Sequence, residues 1–396
     1  MPRLPFPAFD SDNHYYEAED AFTRHMDRRL RKRGVQWAEI DGRRRLMVAG
    51  RVDRFIPNPR FDPVARPGSL DQYFRGKNPE GKSMVELFGD LEPIRPEYRD
   101  RDSRLKVMDE QGLEGILLFP TQGVGIEYPL RHDVEATQAV LRAFNRWLDE
   151  DWGFAYQDRL FAVPMISLAD LDAAVAELDW ALERGARMVH LRAAPVPGPA
   201  GTRSPGDPEF DPFWARVDEA GITVAVHAGD SGYQKWAAAW EPGRAGGMEA
   251  FRGYALGQVM LEGRSTYDMF AALVVHGVFA RHPRVRVVSV ENGSDWVAPL
   301  LKKLRKAYGQ MPHVFREPPI ETFRRHVFVS PYYEDDIRIL ADTIGAENVV
   351  FGSDWPHAEG LANPVSFVDD LEGFSDTEIR KVMRDNALGL VGPSPL

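Results

Sequence analysis

The sequence contains no cysteine. Disulfides, thiolate metal ligands and a cysteine nucleophile are therefore excluded, and a bound metal would have to draw on His, Asp or Glu. Positive charge is also scarce: Lys and Arg total 49 against 60 acidic residues, a net charge of −11. Such a balance suits polyanions poorly, so nucleic acid is not an expected partner. No apolar run is long enough to span a bilayer, and the longest, around Met269 to Ala280, is interrupted by His276. The opening residues Met1-Pro-Arg-Leu-Pro-Phe-Pro carry neither the apolar stretch nor the cleavage site of a signal peptide, which predicts a cytoplasmic protein. Also missing are a Gly-x-Ser-x-Gly elbow, a Walker-type phosphate loop, and the third Gly that would turn Gly123-Val-Gly125 into a dinucleotide fingerprint.

What is present is a globular composition, 43% hydrophobic over 396 residues, arranged as short apolar strands alternating with amphipathic helices. Strands are predicted at Ala8–Asp12, Gly115–Pro120, Leu160–Ile166, Arg187–Leu191, Ile222–His227, Val285–Val290, His326–Ser330 and Asn348–Ser353. Most are continuous apolar runs, as parallel strands buried on both faces require. Between them lie helical patterns such as Leu168 to Gly185, with Leu171, Val175, Leu178 and Leu182 on one face. Eight such units predict an α/β protein, a single (β/α)8 TIM barrel, whose usual length is roughly 250 residues. The surplus falls into two expected insertions on the C-terminal face, residues 18–100 after strand one and 229–264 after strand five. The first holds a basic run, Arg28 to Arg33, expected to be a solvated helix, and a hairpin from Trp37 to Ala49 turning at Asp41-Gly42. The second holds Trp236, Trp240 and Tyr254. Leaving from C-terminal strand ends, both are plausible pocket walls.

Polar residues gather at those same strand ends. Asp12 and His14 end strand one on the same side, His227 ends strand five, Glu291-Asn292 follow strand six, and Asp354-Trp355-Pro356-His357 follow strand eight. Individually each has a structural explanation: Asp12 or Asp354 can bond a loop or helix start, and Glu291 can pair with Arg192 at the end of strand four. Collected in one barrel mouth, two imidazoles and two carboxylates form a ligand set for one divalent ion, Zn²⁺ first and Mn²⁺ second. Without an ion, the clustered carboxylates would repel one another.

At these residues the chain resembles the amidohydrolase-related (amidohydrolase 2) family, in the branch containing aminocarboxymuconate-semialdehyde decarboxylase and the resorcylate-type decarboxylases. The resemblance rests on Asp10-Ser-Asp-Asn-His-Tyr-Tyr-Glu17, Val226-His-Ala-Gly229, Phe279-Ala-Arg-His-Pro283 leading to Val290-Glu-Asn-Gly293, Phe351-Gly-Ser-Asp-Trp-Pro-His-Ala-Glu-Gly360 and Asp385-Asn-Ala-Leu-Gly389. It implies a single divalent metal held by His14, His227 and Asp354, with Asp12 where many members carry the first His of a His-x-His pair. It departs at Glu291, where the decarboxylases usually present a His as acid/base.

The expected function is metal-dependent hydrolysis of a small carboxylated or cyclic substrate. Asp354 would take the proton of an activated water, and Glu291 would act as second acid/base. Arg192, Asn292, Trp355 and His357 are the expected substrate contacts, Arg192 by pairing its guanidinium with a carboxylate. The alternative is non-oxidative decarboxylation, in which a protein acid protonates carbon, and a third reading is a non-catalytic binding barrel. A homodimer is the default expectation for assembly.

Overall fold

The computed structural model describes residues 4–241, 249–250, 255–332 and 335–392. The apolar runs form parallel strands: β1 (Ala8–Tyr15) pairs with β5 (Leu113–Pro120) and β5 with β6 (Leu160–Ala162), while β7 (Met188–His190), β8 (Thr223–His227), β9 (Arg286–Val290) and β10 (Val327–Val329) form a second parallel sheet. Single bridges link the two sheets. Met165 bridges to His190, Val349 to Val329, and Trp355 to Asn13.

The segment expected as the eighth strand, Asn348–Ser353, is extended chain rather than a ladder. The Val350 N–H donates to Val329 O and Ser11 N–H to Phe351 O, as a strand between β10 and β1 would have it. The Phe351 N–H instead turns to Val382 O, which breaks the regular pairing. The hairpin is present as β2 (Val35–Ile40) and β3 (Arg43–Val48), with Asp41 and Gly42 both at positive φ, as a two-residue type I′ turn demands. A short third strand, β4 (Arg51–Val52), extends it into a meander. The basic run 28–33 is a series of turns rather than a helix. Asp27 accepts from the backbone and side chain of Arg29, a local bond that competes with helical pairing. Tyr254 lies outside the described residues.

Apolar side chains pack on both sides of the strands. Facing inward, Phe9, Leu117, Phe161, Met188, Ala225 and Val288 form one cluster. The C-terminal helix Asn386–Val391 adds Ala387 and Leu390 to it, and Leu390 O accepts from Thr223 at the start of β8. That end is therefore plugged, and the opposite, C-terminal strand ends remain for chemistry. Facing outward, the strands meet long helices. The predicted helix after β6 runs from Leu171 to Glu183, capped by Asp170 accepting from Ala173 N–H. Helix Val134–Asp151 buries Trp147 against Tyr15, the residue after His14, with Phe144 packed on Trp147.

This last contact is open to test. Trp147 is buried, and its indole N–H has no hydrogen-bond partner among the described residues. Trp147→Ala is expected to cost about 3–5 kcal/mol in urea unfolding. Trp147→Phe, which keeps most of the ring and loses no hydrogen bond, is expected to cost clearly less.

Candidate metal centre and its cavity

The C-terminal ends of β1, β8 and β9, with the loop after Ser353, bring together donors that are far apart in sequence. One donor atom each from Asp12, His14, His227 and Glu291 lies within 4.8 Å of the others. His14 Nε2 stands 3.2 Å from Asp12 Oδ1, 3.3 Å from Asp354 Oδ1 and 3.8 Å from Glu291 Oε2. His227 Nε2 is 3.4 Å from Asp12 Oδ1 and 3.2 Å from Glu291 Oε2. The Glu291–Arg192 pair, the structural alternative for Glu291, is not formed. Arg192 donates to Ser231 O at 3.1 Å and lies 3.5 Å from Glu127.

The donors are aimed by their surroundings. Asp10 is fully buried, and its carboxyl accepts from Asp12 N–H, Asn13 Nδ2, Ser353 N–H and Ser353 Oγ. It thereby fastens β1 to the residue preceding Asp354. The two chains run so close that a Cβ on Gly352 would stand 2.6 Å from Asp12 Cβ. His227 Nδ1 donates to Ala228 O at 2.8 Å, which leaves Nε2 facing the cluster. Asn292 donates to both Val226 O and Val290 O, clamping the ends of β8 and β9. Tyr332 donates to Glu291 O. Glu291 and Asp354 both sit at φ 55°, a left-handed backbone that costs a non-glycine residue of the order of 1–3 kcal/mol. Strain at these two carboxylates marks a constraint stronger than local preference.

Electrostatics follow from burial and crowding. Burial works to raise Asp12, but His14 and His227 outweigh it and hold the carboxyl below its usual range. Burial, with His357 close by, pulls His14 well below the ordinary histidine value. Burial lowers His227 as well, yet Glu291 and Asp12 prevail and raise it. Burial and then Asp354 push Glu291 well above the usual carboxyl range. His357 bridges outward: Nδ1 lies 2.6 Å from Asp354 Oδ1, and Nε2 lies 2.8 Å from Thr121 Oγ1. The Thr121 hydroxyl also donates to Tyr15 O, so His357 ties Asp354 to the end of β1.

The cluster opens into a cavity of about 730 Å³. Of the expected substrate contacts, Asn292 and His357 line it, whereas Arg192 and Trp355 do not. Trp355 packs beneath, edge-on to Tyr98 at 5.4 Å and under the Arg104 guanidinium at 4.6 Å. Arg192 and His190 line a small adjoining hollow, which shares His227, Ser231, Ser265 and Asn292 with the cavity. Sequence reasoning passed over Glu359, which forms a third donor group with Glu291 and Asp354. It also passed over Thr121, Tyr332, Asp10 and Glu17. Asp10, Glu17 and Glu359 stood inside the motifs quoted above, but their partners are remote in sequence.

The residues fit a divalent ion. Both ring nitrogens of His14 are buried without a hydrogen-bond partner among the described residues, although three carboxylates surround Nε2. An imidazole in that position suits a cation shared with those oxygens. A parallel α/β frame whose strand ends converge imidazoles and carboxylates on a cavity is the construction of a metal-dependent enzyme. The chain belongs to the amidohydrolase family, which residues 91–392 match.

An amidohydrolase of Mycobacterium avium subsp. paratuberculosis is 49% identical, with a TM-score of 0.93 over 98% of this chain and 100% of that one. A 2-amino-3-carboxymuconate-6-semialdehyde decarboxylase of Dictyostelium discoideum is 20% identical over 201 residues, 48% of this chain and 50% of the relative. The chain thus spans about half the length of the curated relative it matches. A dihydroxybenzoic acid decarboxylase of a Polaromonas species, solved with manganese and 2-nitroresorcinol, shares the fold at a TM-score of 0.56 and 18% identity, over 82% of this chain and 93% of that one.

Two outcomes test this arrangement. Asp10→Asn presents an amide to groups that all donate, so the Asp12 and Asp354 loops lose their common anchor. Mn²⁺ affinity, read by titration of the metal-free protein, is expected to fall about 10–100-fold. Glu17, buried with Oε1 accepting from Gln122 and Gly123 N–H, is pushed up to about 7 by burial. The folded state then binds more protons than the unfolded chain between pH 4.5 and 7, so stability falls as pH rises through that window. Glu17→Gln keeps an acceptor and removes the titration. Its stability relative to wild type is expected to rise across the window, by up to about 3 kcal/mol above pH 7, in denaturation series at several pH values.

Proposed function

We propose that this protein is a metal-dependent, non-oxidative carboxy-lyase acting on a small organic acid. The observation that carries the reading is the activity of the relatives described above whose names state a reaction. The Dictyostelium and Polaromonas enzymes are both decarboxylases, which favours decarboxylation over the hydrolysis first expected from the sequence. The geometry supports it. Asp12, His14, His227 and Asp354 would hold the ion. Glu291 has the most accessible carboxyl beside them, its side chain 18% exposed against 5% for Asp12 and 7% for Asp354.

A divalent ion held there would supply Lewis-acid stabilisation of the charge that develops on the substrate. The chain's own part is to place the acid and deliver a proton. The bond between carboxylate and substrate carbon breaks and CO₂ leaves. The electron pair remains on that carbon, and Glu291 donates the proton that forms the new C–H bond. Glu291 regains a proton from the solvent side of the cavity. Tyr332 and the left-handed backbone fix where its carboxyl stands, and His357 orients Asp354.

The same reading takes the parallel segments as one (β/α)8 barrel, with residues 18–100 and 229–264 as insertions over its catalytic face. The bridges Met165–His190, Val349–Val329 and Trp355–Asn13 support the barrel, and the cavity walls contributed by Phe55, Phe88 and Leu261 support the insertions.

The test is elemental analysis followed by CO₂ detection. Protein loaded with Mn²⁺ or Zn²⁺ is expected to hold about one ion per chain and to release CO₂ from a panel of organic acids without consuming water. A His14→Ala/His227→Ala double variant is expected to lose both, with turnover down at least about a hundredfold. Product formation with uptake of water and no CO₂ would restore the hydrolase.

A further inference from the structure

We propose that the cavity is built for a substrate of two-ring size, with one carboxylate directed at the strand-end cluster and a remaining body that is apolar and free of negative charge. This rests on the carboxy-lyase reading for the placement of the carboxylate. The description of the body rests on the cavity itself.

Size is the first argument. At about 730 Å³, the cavity lies within the roughly 300–1,000 Å³ that encloses drug-sized ligands, far more than a single ring carrying a carboxylate occupies. The walls away from the cluster are the second. Phe55, Phe61, Phe74, Phe88, Leu91 and Leu261 face the space, and a small polar acid would leave them against water.

Charge is the third argument. Among the described residues lining the cavity there is no Lys or Arg, while Asp230, Glu249 and Glu262 add carboxylates outside the cluster. The nearby guanidiniums are turned elsewhere. Arg192 is held by Ser231 and Glu127, and Arg54, 4.0 Å from Glu249, is largely in solvent. A second carboxylate on the substrate would lose its hydration and meet no cationic side chain among the described lining residues. The divalent ion would serve one acid group only.

The experiment uses the full chain, metal-free and loaded with Mn²⁺, and three unreactive probes: benzoate, biphenyl-4-carboxylate and biphenyl-4,4′-dicarboxylate. Calorimetric titration of the loaded protein is expected to show biphenyl-4-carboxylate binding at least about tenfold tighter than benzoate, the scale of burying one more ring. The dicarboxylate is expected to lose that gain. Leu91 is 52% exposed, so Leu91→Lys should fold. It is expected to strengthen dicarboxylate binding several-fold.

Equal affinity for benzoate and biphenyl-4-carboxylate, or a dicarboxylate as tight as the monoacid, overturns the inference; the carboxy-lyase reading survives if benzoate still needs Mn²⁺. Tight biphenyl-4-carboxylate binding of equal strength with and without Mn²⁺ supports the apolar body and overturns the placement of the carboxylate. No binding by any probe overturns the inference.

Discussion

The Asp10 carboxyl is the fastening on which the site depends. It lies at the start of the β1 strand end, is wholly buried, and receives hydrogen bonds from two backbone N–H groups and two side chains. Two of these donors belong to Ser353, which precedes Asp354, and one is the N–H of Asp12. The first and last chemically active segments of the chain are thus joined by one side chain. Backbone bonds from Asp354 N–H to Asp12 O and from His14 N–H to Trp355 O complete the join. Remove the carboxyl and these donors are left buried without an acceptor, each at a cost of about 1–3 kcal/mol. The relative positions of Asp12, His14 and Asp354 would relax with them.

Holding those groups together opposes electrostatics. Asp12, Glu291, Asp354 and Glu359 crowd a buried space, and the protein compensates with His14, His227 and His357. The compensation is incomplete: His14 is driven toward neutrality while Glu291 is driven toward protonation. A divalent cation would supply the missing charge. Two carboxylates on left-handed backbone fit the same account, because stored strain of this kind persists where the surrounding structure and its ligand over-determine a position.

The parallel frame was legible because a buried parallel strand writes itself as a continuous apolar run, and runs such as Val285-Arg-Val-Val-Ser-Val can do little else. Asp12, His14, His227 and Asp354 were legible because strand ends of such a frame share one face, so their remoteness in sequence did not hide them. Arg192 and Trp355 do not line the cavity, because a position at a strand end does not fix the direction of a long side chain. Arg192 turned to Glu127 and Ser231, and Trp355 turned under Arg104. Glu359 and Thr121 escaped notice because their roles depend on contacts with Asp354 and His357 that no spacing rule encodes. The turns at 28–33 show local Asp–Arg bonding overriding what looked like a helical charge pattern.

The division between shared and particular features falls along the chain. The family match covers residues 91–392 and so includes His227, Glu291, Asp354 and His357. Phe55, Phe61, Phe74 and Phe88, which form much of the apolar wall, all lie before it. Asp12 and His14 lie before it as well, so the leading stretch carries two of the clustered donors together with much of the wall. The strand ends bring the donors together at positions that the parallel frame fixes. The segment ahead of the family match supplies these phenyl groups to the cavity. It is tied to the frame by Gly68 N–H donating to His357 O, Leu70 N–H donating to Ala358 O, and the stacking of Phe61 on Tyr16. Those ties place the wall against the loop that carries His357 and Glu359. A change in wall packing would therefore reach the hydrogen-bonded Asp354–His357 pair as well as the shape of the cavity.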